Sequence, residues 1–318
     1  MKFAYLRSLV LCGATLLAAA PALAQQPFIN VLTGGTSGVY YPMGVAPSQI
    51  YGKVMPATKS SVQATKASAE NLNLLQAGRG EIAFTLADSL SDAWKGDEEA
   101  GFKTPLKKLR GVAGIYPNYI QIVASADSGI KTLADLRGKR VAVGAPKSGT
   151  ELNARAILKA AGMTYKDLGK VEYLPFGESV ELMKNRQLDA TLQSAGLGVA
   201  SLRDLSTSVK IVVVAIPADV IAKVGDPAYQ ASFIPAKTYE GQTADVPTAL
   251  VQNFLVTHEG VSNDTVYKMT KGMFDNLDQM FAAHSAAKVI KLENALKGMP
   301  VPLHPGAEKY YREVGVIK

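Results

Sequence analysis

Thr33-Gly34-Gly35-Thr36-Ser37-Gly38-Val39-Tyr40-Tyr41-Pro42-Met43-Gly44 follows a short apolar, β-branched run, Phe28-Ile29-Asn30-Val31-Leu32, while Met43, Ile50 and Val54 recur beyond it at roughly helical spacing. The glycines and hydroxyls therefore fill a turn between the C-terminal end of a strand and the start of a helix. The first N–H groups of a helix have no intrahelical partner and carry the positive end of its dipole. Glycine lets a ligand approach that backbone, and Thr36 and Ser37 add hydroxyl donors, so the turn suits an anion. It also reads as plain punctuation, with glycine for geometry and hydroxyls as caps, and alone it decides little.

A second stretch of the same kind shifts the balance. Arg140-Val-Ala-Val143 reads as a strand, Gly144-Ala-Pro-Lys-Ser148-Gly149-Thr150-Glu151 as another Gly/hydroxyl turn, and a helix follows to Gly162. Two anion-ready turns on two separate α/β segments imply two lobes facing one ligand.

The first 24 residues are set aside before any fold argument. Lys2 and Arg7 form a charged start, Leu9 to Ala20 an apolar run, and Ala22-Leu23-Ala24 a small-x-small cleavage site before Gln25. The only cysteine, Cys12, lies inside this leader, and Leu11 before it fits a lipoprotein anchor badly. A cysteine-free protein exported to the periplasm is expected. Removing 24 of 318 residues leaves 294, and losing Lys2 and Arg7 takes the formal charge from +7 to +5. That length suits two domains of ordinary size. The lysines are scattered rather than clustered with aromatics, which argues for a solvated surface and against nucleic acid.

Strands and helices alternate along both halves, which implies a mixed α/β chain with parallel pairing. Lobe 1 is expected over residues 25–116 and again over 244–318, and lobe 2 over 117–243, with crossovers near 116–118 and 240–248. Open α/β sheets bind ligands beyond the carboxyl ends of their strands. The Gly/hydroxyl turns lie at such ends, which nominates Ser148, Gly149 and Thr150 first, then Thr36, Ser37 and Gly38. Gln193, Ser194, Gly196, Asp88, Ser89 and Asn118 follow from their positions at strand ends and crossovers. Asp88 would repel an acidic ligand unless it took up an ammonium group.

No catalytic set emerges. His258, His284 and His304 are far apart and lack partners at metal-ligand spacing. Ser37 does not sit in a Gly-x-Ser-x-Gly elbow, and Thr150 stands where a phosphate loop needs lysine. Asp88 and Asp189 could pair as acid and base but are more simply a helix cap and a strand-end residue. No cofactor, metal or catalytic residue is expected.

Thr33 to Gly44, Val143 to Glu151, Asp245-Val-Pro-Thr248 and His304-Pro-Gly-Ala-Glu-Lys-Tyr-Tyr311 together resemble the TAXI family of solute receptors of TRAP transporters. The resemblance implies a two-lobed periplasmic-binding-protein fold of type II with two hinge crossovers. It implies delivery of a small organic acid or amino acid, often glutamate or 2-oxoglutarate, by a monomer to a TRAP membrane permease driven by an ion gradient. It also favours Tyr40 over Tyr41 as the cleft residue. Two positions depart from the family pattern: Leu86-Ala87 stands where many members carry Gln-Ser, and Gly196-Leu-Gly198 where many carry Gly-x-Pro. Both bear on the ligand rather than on the receptor role. The alternative on the same fold is a receptor for an ATP-driven uptake system, or a sensor.

The leader predicts that protein recovered from the periplasm begins at Gln25. Intact mass measurement checks this, and a product that retains Met1 contradicts it.

Overall fold

The computed structural model describes residues 28–318, so the expected leader and its cleavage site lie outside the described residues. Two long strands organise the rest, β4 (Leu109–Ser125) and β10 (Val246–His258), which pair antiparallel with each other. Both are longer than the usual strand of a globular protein. Each runs out of one lobe and into the other, so a single ten-stranded mixed sheet threads the molecule.

Lobe 1 holds β1 (Phe28–Leu32), α1 (Tyr40–Val54), β2 (Lys59–Gln63), α2 (Ser68–Gln76), β3 (Ile82–Leu86) and α3 (Ala87–Lys95). After β10 the chain adds α8 (Asn263–Asp275), α9 (Leu277–Ala283) and α10 (Pro305–Glu313) to it. Lobe 2 holds β5 (Arg140–Ala142), α4 (Gly149–Ala160), β6 (Lys170–Glu172), α5 (Phe176–Lys184), β7 (Ala190–Ala195), α6 (Ala200–Ser208), β8 (Ile211–Val214), α7 (Ala218–Val224) and β9 (Tyr229–Ile234). In lobe 1 the strands lie in the order β2-β1-β3-β10-β4, and in lobe 2 in the order β6-β5-β7-β4-β8. The two halves thus share one plan: the first strand lies between the second and third, and the next neighbour is a long antiparallel strand. The two-lobed periplasmic-binding-protein fold expected from the sequence is present.

The long strands change partners near the same level. β10 pairs with β9 from Val246 to Val251 and with β3 from Asn253 to Val256. Its pairing with β4 slips in register between Gln252 and Phe254, and Pro117 sits opposite Gln252. Proline cannot donate to a ladder and a bulge bends the strand, so the sheet is weakest where the lobes meet. The Asp245-to-Thr248 motif is mostly strand: Thr248 pairs with Ser232 of β9, and its Oγ1 donates to the Ile120 carbonyl of β4.

Close packing within lobe 1 has a local cause. A Cβ on Gly44 would lie 2.3 Å from Thr33 Cγ2, so only glycine lets α1 lie this close to the end of β1. Ser148 caps α4, its Oγ accepting from Glu151 N at 3.1 Å. His304 caps α10 in the same way, with Nδ1 accepting from Gly306 N at 3.1 Å and Pro305 in the first turn.

The lobes also touch behind the cleft. Asp88, in the first turn of α3 rather than at its cap, is 2% exposed. Its Oδ2 accepts from Asn153 Nδ2 of α4 at 2.6 Å and from the Tyr229 hydroxyl of β9 at 2.7 Å, and its Oδ1 accepts from Ser89 N at 2.7 Å. Burial raises the carboxyl to about 6, against the lowering effect of its donors. The folded value lies above the ordinary 3.8, so the stability linked to this proton is fully present below about pH 4 and is lost as pH rises through about 6. The size is of the order of 3 kcal/mol, at about 1.4 kcal/mol per pKa unit. Asp88→Asn keeps an acceptor oxygen but cannot titrate. The wild type is expected to lose stability relative to this variant between pH 4 and 7 in urea unfolding. A pH-independent difference between the two proteins contradicts the assignment.

Candidate functional site

Four helix N-termini converge on the cleft between the lobes: α1 and α2 from lobe 1, and α4 and α5 from lobe 2. They bound a cavity of about 110 Å³, room for a molecule the size of an amino acid. The starts of α1, α2 and α5, at Val39, Ala67 and Pro175, have no side-chain cap. Their first N–H groups are left without an intrahelical partner, and the dipole ends add positive partial charge. Ala67 carries a further signal. Its φ of 71° and ψ of −150° fall in a region that is essentially confined to glycine, where a non-glycine residue costs of the order of 1–3 kcal/mol. Such strain is held where the surroundings require it, and here it turns the chain into the start of α2.

Seven of the residues nominated from the sequence line this cavity: Gly38, Tyr40, Asn118, Ser148, Gly149, Thr150 and Ser194. Tyr40 presents its ring to the cleft, while its hydroxyl donates to Asn253 Oδ1. Tyr41 is not part of the lining. Gly149 is a point of close approach between lobes, since a Cβ there would lie 2.6 Å from Ser68 Oγ and 2.7 Å from Leu86 Cδ1.

The others lie elsewhere, each for a physical reason. Thr36 is exposed at the tip of its turn, and Ser37 faces a neighbouring groove beside Gly177. Asp88 and Ser89 are buried behind the cleft in the contact between α3 and lobe 2. Gln193 is nominated as a strand-end residue, but β7 continues through Ala195. Strand alternation points its side chain away from Ser194, and Gln193 Oε1 accepts from Ser201 Oγ at 2.6 Å. Gly196 packs instead against Ala286, whose Cβ would be 3.0 Å from a Cβ placed there.

The sequence reading missed the α2 side of the cleft, namely Thr65, Lys66, Ala67 and Ser68, together with Tyr116 and Phe176, while Leu86, noted there as a departure that bears on the ligand, does line it. Ser68 ahead of the apolar Leu72 and Leu75 was an available helix-start signal. Pro175 before Phe176 was another, because proline and its fixed φ favour such a boundary.

The electrostatics of the lining are one-sided. Among the described residues lining it there is no carboxylate, arginine or histidine, and Lys66, exposed at the rim, is its one charged side chain. Two hydroxyls at the cavity are buried without a hydrogen-bond partner, Tyr116 OH on a residue 0% exposed and Ser194 Oγ on one 5% exposed. Burial holds the Tyr116 phenol well above its ordinary value, so it keeps its proton. The Thr150 hydroxyl has no hydrogen bond to another described residue.

The histidines and Asp189 are engaged locally. Each histidine accepts a backbone N–H two residues on: His258 from Gly260 at 3.2 Å, His284 from Ala286 at 3.1 Å and His304 from Gly306. Asp189 is taken by Arg140, with bonds of 2.6 and 3.1 Å, and does not meet Asp88.

The fold is similar to that of solved binding proteins. PhnD1 from Prochlorococcus marinus, solved with methylphosphonate, aligns with a TM-score of 0.57 at 12% identity, over 92% of this chain and all of that one. The alkanesulfonate-binding protein SsuA from Xanthomonas axonopodis pv. citri, bound to MOPS, aligns at 0.50 and 16% identity over 91% of this chain and 85% of its own. A Listeria monocytogenes protein, provisionally described as an L-cystine ABC transporter, aligns at 0.51 and 15% identity over 82% and 95%. At these identities the likeness speaks for the fold. The sequence model of the NMT1-like family matches residues 31–315, nearly the whole described chain, and the chain belongs to that family.

Proposed function

We propose that this protein is a periplasmic solute receptor that closes its two lobes on a small carboxylate and presents it to a membrane permease. The observation that carries the reading is the cleft itself: helix N-termini from both lobes, three of them uncapped, meet around a cavity lined by no acid. Hydrogen bonds to a charged acceptor contribute about 1.5–3 kcal/mol each, roughly twice a neutral one, so an anion is the ligand such donors favour. The four stretches that resemble TAXI receptors support a TRAP permease and an ion gradient as the partner and energy source. A receptor for an ATP-driven system is the second reading, favoured by the fold shared with the Listeria protein described as an ABC transporter. In either case the receptor acts as a monomer and performs no chemistry on its cargo.

Closure turns about the partner exchanges on β4 and β10, at Pro117 and Gln252, which we take as the lobe boundaries. Hinge motions of this kind change few contacts besides those at the cleft.

Calorimetric titration against small carboxylates, with their amides and methyl esters alongside, tests the reading. The free acids are expected to bind and the derivatives of the gripped carboxyl to fail. Thr150→Ala is expected to weaken binding roughly 10- to 100-fold, at about 1.4 kcal/mol per decade, while Ser37→Ala leaves it unchanged. A neutral sugar or a cation as the best ligand overturns the anion reading. Closure has its own variant. Gly149→Ala sets a methyl against Ser68 and Leu86, so ligand should bind at least about tenfold more weakly. The ligand-induced fall in radius of gyration by small-angle scattering should shrink with it. Unaltered affinity and an unaltered fall count against closure at this point.

A further inference from the structure

We infer that the ligand is an apolar-tailed monocarboxylic acid bearing an uncharged oxygen beside its carboxyl, a 2-oxo or 2-hydroxy acid rather than an amino acid or a dicarboxylate. This rests on the carboxylate reading above and narrows it.

Two buried hydroxyls define the uncharged subsite. Tyr116 and Ser194 line the cavity, and their hydroxyls, nearly or wholly excluded from solvent, have no hydrogen-bond partner among the described residues. Leaving such groups unpaired costs about 1–3 kcal/mol each, so they mark positions that a ligand atom completes. Both are neutral. Tyr116 is a donor that keeps its proton, and Ser194 can donate or accept. A keto oxygen can accept from either of them, and a ligand hydroxyl can pair with either.

An ammonium group has no counterpart here. No carboxylate lines the cavity, and the acids in the first turns of the converging helices are used or turned aside. Glu70 accepts from Lys66 N at 2.5 Å, Glu151 pairs with Arg155, and Glu178 lines the neighbouring groove. Asp88, the one acid nominated for an ammonium, is spent on Asn153 and Tyr229. The uncapped N–H groups repel a cation further.

A second carboxylate has no site either. The apolar walls are Val39, Tyr40, Leu86, Pro175 and Phe176, the polar side chains beside them, Thr65, Ser68 and Asn118 among them, are uncharged, and Lys66 stands exposed at the rim. Burying an unpaired carboxylate against such side chains is costly, whereas a short alkyl chain gains about 0.8 kcal/mol per methylene.

The test is a matched five-carbon series titrated into the receptor by calorimetry: 2-oxopentanoate, 2-hydroxypentanoate, pentanoate, norvaline, glutamate and 2-oxopentanedioate. The oxo or hydroxy monoacid is expected to bind roughly tenfold or more tightly than pentanoate, and tighter still than norvaline or the diacids. Tyr116→Phe and Ser194→Ala are expected each to collapse the ratio between 2-oxopentanoate and pentanoate toward one. Thermal unfolding of each variant establishes that it is folded. Pentanoate binding as tightly as 2-oxopentanoate overturns the inference, as does an amino acid or a diacid binding best, or a ratio that survives both substitutions. If no member of the series binds while a phosphonate, sulfonate or neutral solute does, the carboxylate reading itself has failed.

Discussion

The amide side chain of Asn253, buried on β10 at the level where the lobes meet, holds the cleft together. Its Nδ2 donates to the Tyr116 carbonyl at 2.8 Å and to Asn118 Oδ1 at 2.7 Å, while its Oδ1 accepts from the Tyr40 hydroxyl. Asn118 in turn donates to the Ser194 carbonyl at 2.8 Å. The chain of bonds runs from α1 through β10 and β4 to β7, linking the first helix of lobe 1 to a strand of lobe 2. Every side-chain oxygen and nitrogen in it has a partner, which is what a buried polar network needs if it is to rigidify rather than destabilise. It also holds the Tyr40 ring as a wall of the cavity and pins the backbone carbonyls of two further lining residues, Tyr116 and Ser194.

Around that fixed centre the charge is supplied by backbone. Three helices begin at the cleft without a side-chain cap, and one begins at a strained alanine, although Ser, Thr, Asp or Asn would be the stable choice at such positions. The cost of missing caps and of the φ of 71° at Ala67 makes sense if a ligand oxygen completes the first turns. Backbone donors are also already oriented by the helices that carry them. Little entropy remains to be lost when an anion arrives, in contrast to a flexible lysine.

The back of the molecule complements the front. Asp88 brings a carboxylate of lobe 1 against donors of α4 and β9, and Arg155 of α4 donates to the Glu99 carbonyl. These contacts hold the lobes in the arrangement where Gly149 meets Ser68. The bulge at Gln252 and the proline opposite it leave the long strands pliable between front and back.

Alternation of strands and helices, and the Gly/hydroxyl turns after β1 and β5, were legible in the sequence because they depend on local chemistry: side-chain periodicity, caps and backbone freedom. The same locality made Gly38, Ser148, Gly149 and Thr150 readable as cleft residues. Even the motifs that carry the resemblance divide on this line, since His304 proves to cap α10, with Nε2 3.0 Å from the Val261 carbonyl, and Thr248 to tie β10 to β4. What sequence could not reach was direction across the fold. Extension of β7 to Ala195 turned Gln193 away, and the meeting of α3 with α4 and β9 made Asp88 an interlobe contact behind the cleft. Leu86, Phe176 and the start of α2 join the site only because two lobes face each other, a relation among residues far apart in the chain. Local chemistry determined which turns could hold an anion, and the tertiary structure decided which side chains surround it, because facing is set by how distant elements pack.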